Sequence, residues 1–169
     1  ASVDLANDLL AVDDPEIRTV AVITGQARSD AAIIVSSCDE LVMLQGSTLG
    51  GPGEVVPIGD DLQNVELVLR RIAEEKGRDW SLLLALVSQD IVIHQYENVA
   101  TGDKRFWNED QFAEQPLGIQ WDRGPLVDTS KGLSTTDALE LNLAQHVAQD
   151  VDDVSRLYQL KETLEQAKT

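Results

Sequence analysis

The sequence predicts an α/β fold with a parallel sheet. The apolar run TVAVIT at 19–24 has the unbroken character of a strand covered on both faces, and a second run, ELVML at 40–44, follows a single short segment of small residues. Helical and strand-like stretches then alternate down the chain, the pattern of an α/β domain. At 169 residues the chain fits one domain, 1–169, long enough to bury a core without disulfides or metal.

The elements read in order as follows. ASVDLANDLLAV places Val3, Leu5, Ala6, Leu9, Leu10 and Val12 on a helical stripe, so the chain opens inside a core-facing helix. Residues 29–38 suit a buried helix of small residues, and QGSTLGGPGEVVPIG, with five glycines and two prolines, reads as neither helix nor strand. Residues 60–76 give the clearest helix: Leu62, Val65, Val68, Leu69 and Ile72 share a face, acids fill the first turn, and Lys76 precedes the stop at Gly77. SLLLALVSQ follows as a short apolar helix that Ser81 can cap.

The character then changes over 91–127. IVIHQYENVATGDKRFW reads as a β-hairpin turning near Thr101, Gly102 and Asp103, followed by a short helix at NEDQF and an irregular stretch to about Val127. Five of the seven aromatics, Tyr96, Phe106, Trp107, Phe112 and Trp121, fall in this excursion and predict a satellite cluster or a contact surface. Residues 128–169 form a C-terminal helical part: Ser134 or Thr135 caps a helix holding Ala138, Leu139 and Leu141, HVA is a short strand, and Val154, Leu157, Tyr158, Leu160 and Leu164 predict a closing amphipathic helix.

Composition excludes several classes. Thirty acidic against 13 basic residues give a formal charge of -17, a field that repels nucleic acid and anionic lipid headgroups. Cys38 is the lone cysteine, which rules out an intramolecular disulfide or a thiolate metal cluster and reads as a small buried residue. His94 and His146 have no ligand spacing around them, so no metal is expected. The acidic pairs Asp13/Asp14, Asp60/Asp61 and Asp152/Asp153 stand at helix starts, where they complement the dipole. Ser29 differs from these: it follows a strand and opens a helix, a place that serves either a plain cap or a nucleophile beside unpaired backbone N–H groups.

Three separated blocks carry a family resemblance: TVAVITGQARSDAAIIVSSCDELVMLQGSTLGGPGEV, RRIAEEKGRDWSLL and GLSTTDALELNLAQHVA. Together they resemble the ClpP-type serine proteases, as found in NfeD-like membrane-bound proteases and signal peptide peptidase A. Ala27, Ser29, Ala31, Asp39, Val42, Met43, Ser47 and Gly50 fall on the first motif of that group. Leu133, Ser134, Asp137, Ala138, Glu140, Leu143 and Ala144 fall on the second, with Asn142 where glycine is usual.

The resemblance implies a ClpP/crotonase-like spiral of ββα units, here truncated at its N-terminus, and a homo-oligomer. It implies a serine endopeptidase-like activity on a peptide or protein substrate, without cofactor, with Ser29 as nucleophile and the Asp30 N–H as an oxyanion donor. A cell-envelope location follows from the same source, with any membrane association carried by a segment missing from this chain.

The sequence departs from the family pattern at two places. Asp30 puts a carboxylate where alanine is usual, beside the developing negative charge. Asp60 stands at the position of the family's lysine base, and a carboxylate ionised at neutral pH does not replace a desolvated amine. Lys76 is roughly four turns, over 20 Å, further along the same helix. These departures imply the alternative of a non-catalytic assembly or scaffolding domain in a membrane-associated complex.

Overall fold

The computed structural model describes residues 2–53, 59–161 and 164. Three small sheets organise them. Helix α1 (Ser2–Leu10) leads to strands β1 (Val20–Ile23) and β2 (Gln26–Ala27), helix α2 (Asp30–Ser36), and strands β3 (Glu40–Leu44) and β4 (Thr48–Leu49). Helices α3 (Asp60–Lys76) and α4 (Trp80–Ala85) precede the excursion of β5 (Ile93–Asn98), β6 (Lys104–Trp107), α5 (Glu109–Ala113) and β7 (Trp121–Val127). Helix α6 (Thr135–Glu140), strand β8 (His146–Ala148) and helix α7 (Val151–Leu157) complete the chain.

The first sheet is parallel, in the order β1-β3-β8. Its two faces bury different clusters, which is why β1 and β3 read as unbroken apolar runs. Ile23, Leu41 and Met43 join the main core with α2, α3 and α4, whereas Val42 packs with Ala148 and Val154 beneath α7. The predicted two-sided strand is therefore present at 20–23, and ELVML is a strand over its full length. The second sheet, β2 with β4, is only two residues deep, and the third is antiparallel in the order β6-β5-β7.

Several expectations need correction. The first helix buries Ala6 and Leu10, but Leu5 and Val12 on the expected stripe are exposed. The glycine-rich segment is not wholly irregular: Thr48 and Leu49 pair with Gln26 and Ala27. The stretch before Val127 is a seven-residue strand, β7. Gly124 and Pro125 disguise it, because proline is tolerated on a sheet edge, where its missing N–H costs no ladder bond. Gly124 also lies against Gln95, whose carbonyl oxygen would be 3.3 Å from an added Cβ.

Helix α4 begins two residues earlier than a Ser81 cap would place it, with Asp79 at the N-cap, and Ser81 is buried inside it. The closing helix ends at Leu157, since Gln159 adopts a left-handed φ of 52° and Leu160 N–H turns back to the Ser155 carbonyl. Leu160 thus lies past the helix, and residues 162, 163 and 165–169 of the expected helix lie outside the described residues.

Other elements follow the sequence closely. Helix α3 runs over the predicted span and stops at Gly77, left-handed at φ 65°. Ser134 caps α6 in a full capping box with Asp137. Asn142, standing where glycine is usual, takes φ 56° just past α6, a conformation asparagine tolerates better than most residues. Cys38 is buried, and that burial pushes its thiol pKa up.

The aromatics of the excursion close on themselves rather than on solvent. Tyr96 stacks on Phe112 with centroids 4.4 Å apart, and Trp107 meets Trp121 edge-on at 4.7 Å. Beneath them the buried Asp79 carboxylate accepts from Arg105, from Trp107 Nε1 at 2.8 Å and from Phe106 N–H, tying the hairpin to α4. Of the two readings drawn from sequence, a satellite cluster is the one the packing matches.

Candidate functional site around Ser29

Ser29 sits on the turn that carries the chain from β2 into α2. The turn is fixed from outside: Gly50 N–H donates to the Ala27 carbonyl at 2.7 Å, and Thr48 N–H to the Gly25 carbonyl at 2.8 Å. To start α2 directly after β2, Ser29 adopts φ 47° and ψ -120°, a backbone region that favours glycine. A serine held there costs of order 1–3 kcal/mol, and such residues cluster at functional sites.

Ser29 holds the N-cap position of α2 through its backbone and not through its side chain. Its backbone carbonyl opens the helix, accepting from Ala32 and Ile33 N–H, but its side chain makes no capping hydrogen bond. Asp30 is the first residue of α2, so its N–H has no intrahelical acceptor.

The glycine-rich loop passes directly over this turn. A Cβ on Gly53 would lie 1.7 Å from Ser29 Oγ and 2.9 Å from its Cβ, so any side chain there would displace the hydroxyl. Gly50 and Gly51, both at positive φ, are pressed against Leu86 and the 131–132 backbone, and a Cβ on Gly132 would lie 2.5 Å from the Gly50 carbonyl oxygen. Leu49 and Leu133 exchange both backbone hydrogen bonds at 3.0 and 2.8 Å, which locks the two loops together. Arg28 completes the tie by donating from Nη1 to the Pro52 carbonyl at 2.8 Å.

The result is an open depression of about 590 Å³ lined by Gln26, Arg28, Ser29, Asp30, Ala31, Pro52 and Gly53. Ser29 and Asp30 are thus brought together. Asp60, at the start of α3 after Gly59, is exposed and does not line it. Arg28, Pro52, Gly53 and Gln26 were missed from sequence; the close succession of glycines 50, 51 and 53 was the available signal, since such spacing marks close backbone approach.

No described lining residue supplies a base for Ser29. Arg28 is the one basic side chain among them, and a guanidinium stays protonated. Lys76 is committed elsewhere: its Nζ lies 2.6 Å from Asp39 Oδ1. Asp39 also accepts from Thr19 N–H and Oγ; burial opposes its ionisation, but the Lys76 and Thr19 hydrogen bonds prevail and bring its pKa down to about 2. His94 meets Arg123 at 2.8 Å on the third sheet, and His146 packs edge-on to Tyr158. Among the described residues no group of His, Cys, Asp and Glu is placed to hold a metal, and no helix is long and apolar enough to cross a membrane.

No protein-family model and no curated protein matches the sequence. Two solved structures do resemble the fold, both of the 1510-N membrane-bound stomatin-specific protease. A serine-to-alanine mutant matches at a TM-score of 0.52 and 11% identity over 92% of this chain, and a lysine-to-alanine mutant in complex with a substrate peptide at 0.53 and 12% over 90%. The likeness shows the fold alone: the chain shares the α/β fold of those two structures. It spans 60% and 57% of the length of those two chains.

Proposed function

We propose that this chain is a serine peptidase-type domain of the ClpP/NfeD class in which Ser29 is the acyl-accepting nucleophile. The single observation that carries the reading is the strained Ser29 turn: a non-glycine residue at φ 47° whose side chain makes no capping bond to its own helix. In the reaction, Ser29 Oγ bonds to the peptide carbonyl carbon while its proton passes to a base. The tetrahedral oxyanion is met by the Asp30 N–H at the start of α2, the C–N bond breaks, the amine leaves with a proton, and water releases the acyl group. We place the spiral of ββα units, the single domain over 1–169 and the homo-oligomer in the same proposal. The ClpP-like fold supports them.

A second reading keeps the fold and drops the chemistry: an assembly or scaffolding domain that holds a peptide without cutting it. Asp60 at the lysine position and the absence of an amine or imidazole among the described lining residues favour it. A fluorophosphonate probe separates the two. Labelling of Ser29 located by mass spectrometry, with loss of labelling and of peptide hydrolysis in Ser29→Ala, is the expected result; hydrolysis that survives Ser29→Ala overturns the assignment. Absence of labelling together with retained peptide binding establishes the scaffold.

A further inference from the structure

We infer that Asp30 selects the ligand of this depression, and that the ligand is a polypeptide segment presenting a lysine or arginine side chain next to the residue held at Ser29. The inference rests on the reading of the Ser29 depression as a peptide site, and it concerns recognition rather than cleavage.

The depression carries two formal charges among its described lining residues, Arg28 and Asp30. They are not equivalent. The Arg28 guanidinium is half-buried, its Nη1 is spent on the Pro52 carbonyl, and its Nε is covered, without a hydrogen-bond partner among the described residues. It therefore acts inward, as a tie between the turn and the loop above it. Asp30 is exposed at the mouth, on the first turn of α2, with neither a hydrogen bond nor an ion pair to a described cation. The remaining lining is uncharged: Gln26, Ser29, Ala31, Pro52 and Gly53.

A ligand entering the depression thus meets the Asp30 carboxylate as the more exposed of the two charges. The chain as a whole adds to this, since a formal charge of -17 raises the local concentration of cationic segments and repels acidic ones. The same carboxylate explains why a residue unhelpful to an oxyanion can stand beside Ser29. Its cost to a developing negative charge is offset when a bound cationic side chain neutralises it.

Binding decides the matter independently of catalysis. Two fluorescent octapeptides identical except for a central lysine or glutamate are titrated by anisotropy into the Ser29→Ala protein at low salt. The lysine peptide is expected to bind about three- to fivefold tighter, the scale of an exposed ion pair, and the gap is expected to close in Asp30→Asn and to reverse in Asp30→Lys. Charge reversal at Asp122→Lys, on the third sheet, measures the contribution of net charge alone. Equal affinities for the two peptides overturn the inference, as does an equal response to the Asp30 and Asp122 changes. Fluorophosphonate labelling of wild-type Ser29 in the same preparation tests the peptidase reading separately, because labelling without a lysine preference removes only the inference, and a lysine preference without labelling removes only the chemistry.

Discussion

The Ser29 turn and the Asp79 hairpin junction handle polar groups in opposite ways. At Asp79 a carboxylate only 8% exposed is surrounded by donors from Arg105, Trp107 and Phe106, and the aromatic rings above it stack on one another. At Ser29 the backbone is strained, Gly53 of the loop above lies against the hydroxyl, and the depression opens to solvent. The first region spends its polar contacts on stability; the second holds a hydroxyl and a helix N-terminus in a geometry that stability alone does not ask for. That contrast marks out the candidate site better than any one residue does.

Breaking the junction should show the largest effect. Asp79→Ala leaves Arg105 beside an emptied pocket and the Trp107 indole N–H without its acceptor, so a loss of about 3–5 kcal/mol is expected in urea unfolding. A loss under about 1 kcal/mol would mean that the hairpin is held by its aromatic packing instead. Next in size is Gly132→Ala, which adds a Cβ against the Gly50 carbonyl at φ +83°. About 2–3 kcal/mol of destabilisation is expected, with loss of any probe labelling at Ser29, because the loop over the turn must shift.

A smaller effect of opposite sign sharpens the comparison. Ser29→Gly removes the hydroxyl and relieves the positive φ, so the melting temperature should rise by an amount corresponding to about 1 kcal/mol while labelling disappears. A fall in stability would show that the turn is not strained in the sense argued. The smallest effect concerns acid. Asp39 has its folded pKa lowered to about 2 from the usual 3.8, so its contribution is fully present above about pH 4 and is lost as pH falls through 2. Unfolding curves for wild type and Asp39→Asn should therefore converge as pH drops from 4 to 2.

Periodicity made α3 legible, because it buries one face, and the unbroken apolar run made β3 legible, because both of its faces are covered. The capping box at Ser134 and Asp137 was equally readable, since both partners are local. Strand β7 was not, because its glycine and proline are tolerated only by its position on a sheet edge, a fact of tertiary structure. Ser81 misled for the same reason: its hydroxyl and N–H bond Gln111, thirty residues away. The site was half legible. The position of Ser29 followed from the block pattern, whereas its φ and the contact with Gly53 arise from a loop that the local sequence of the turn does not mention.

The interlock of Gly50, Gly51 and Gly132 has a consequence for how this protein can vary. Two segments some eighty residues apart meet largely backbone against backbone, with the Thr48 methyl beside Gly132 and Leu86 beside Gly50, so little at the seam can shrink to admit a substitution. A methyl group added on either side meets backbone atoms that cannot be trimmed. Substitutions across this seam should therefore fail to rescue one another, and chain insertions tolerated in the turn at 99–103 would be rejected at 49–51 and 131–133.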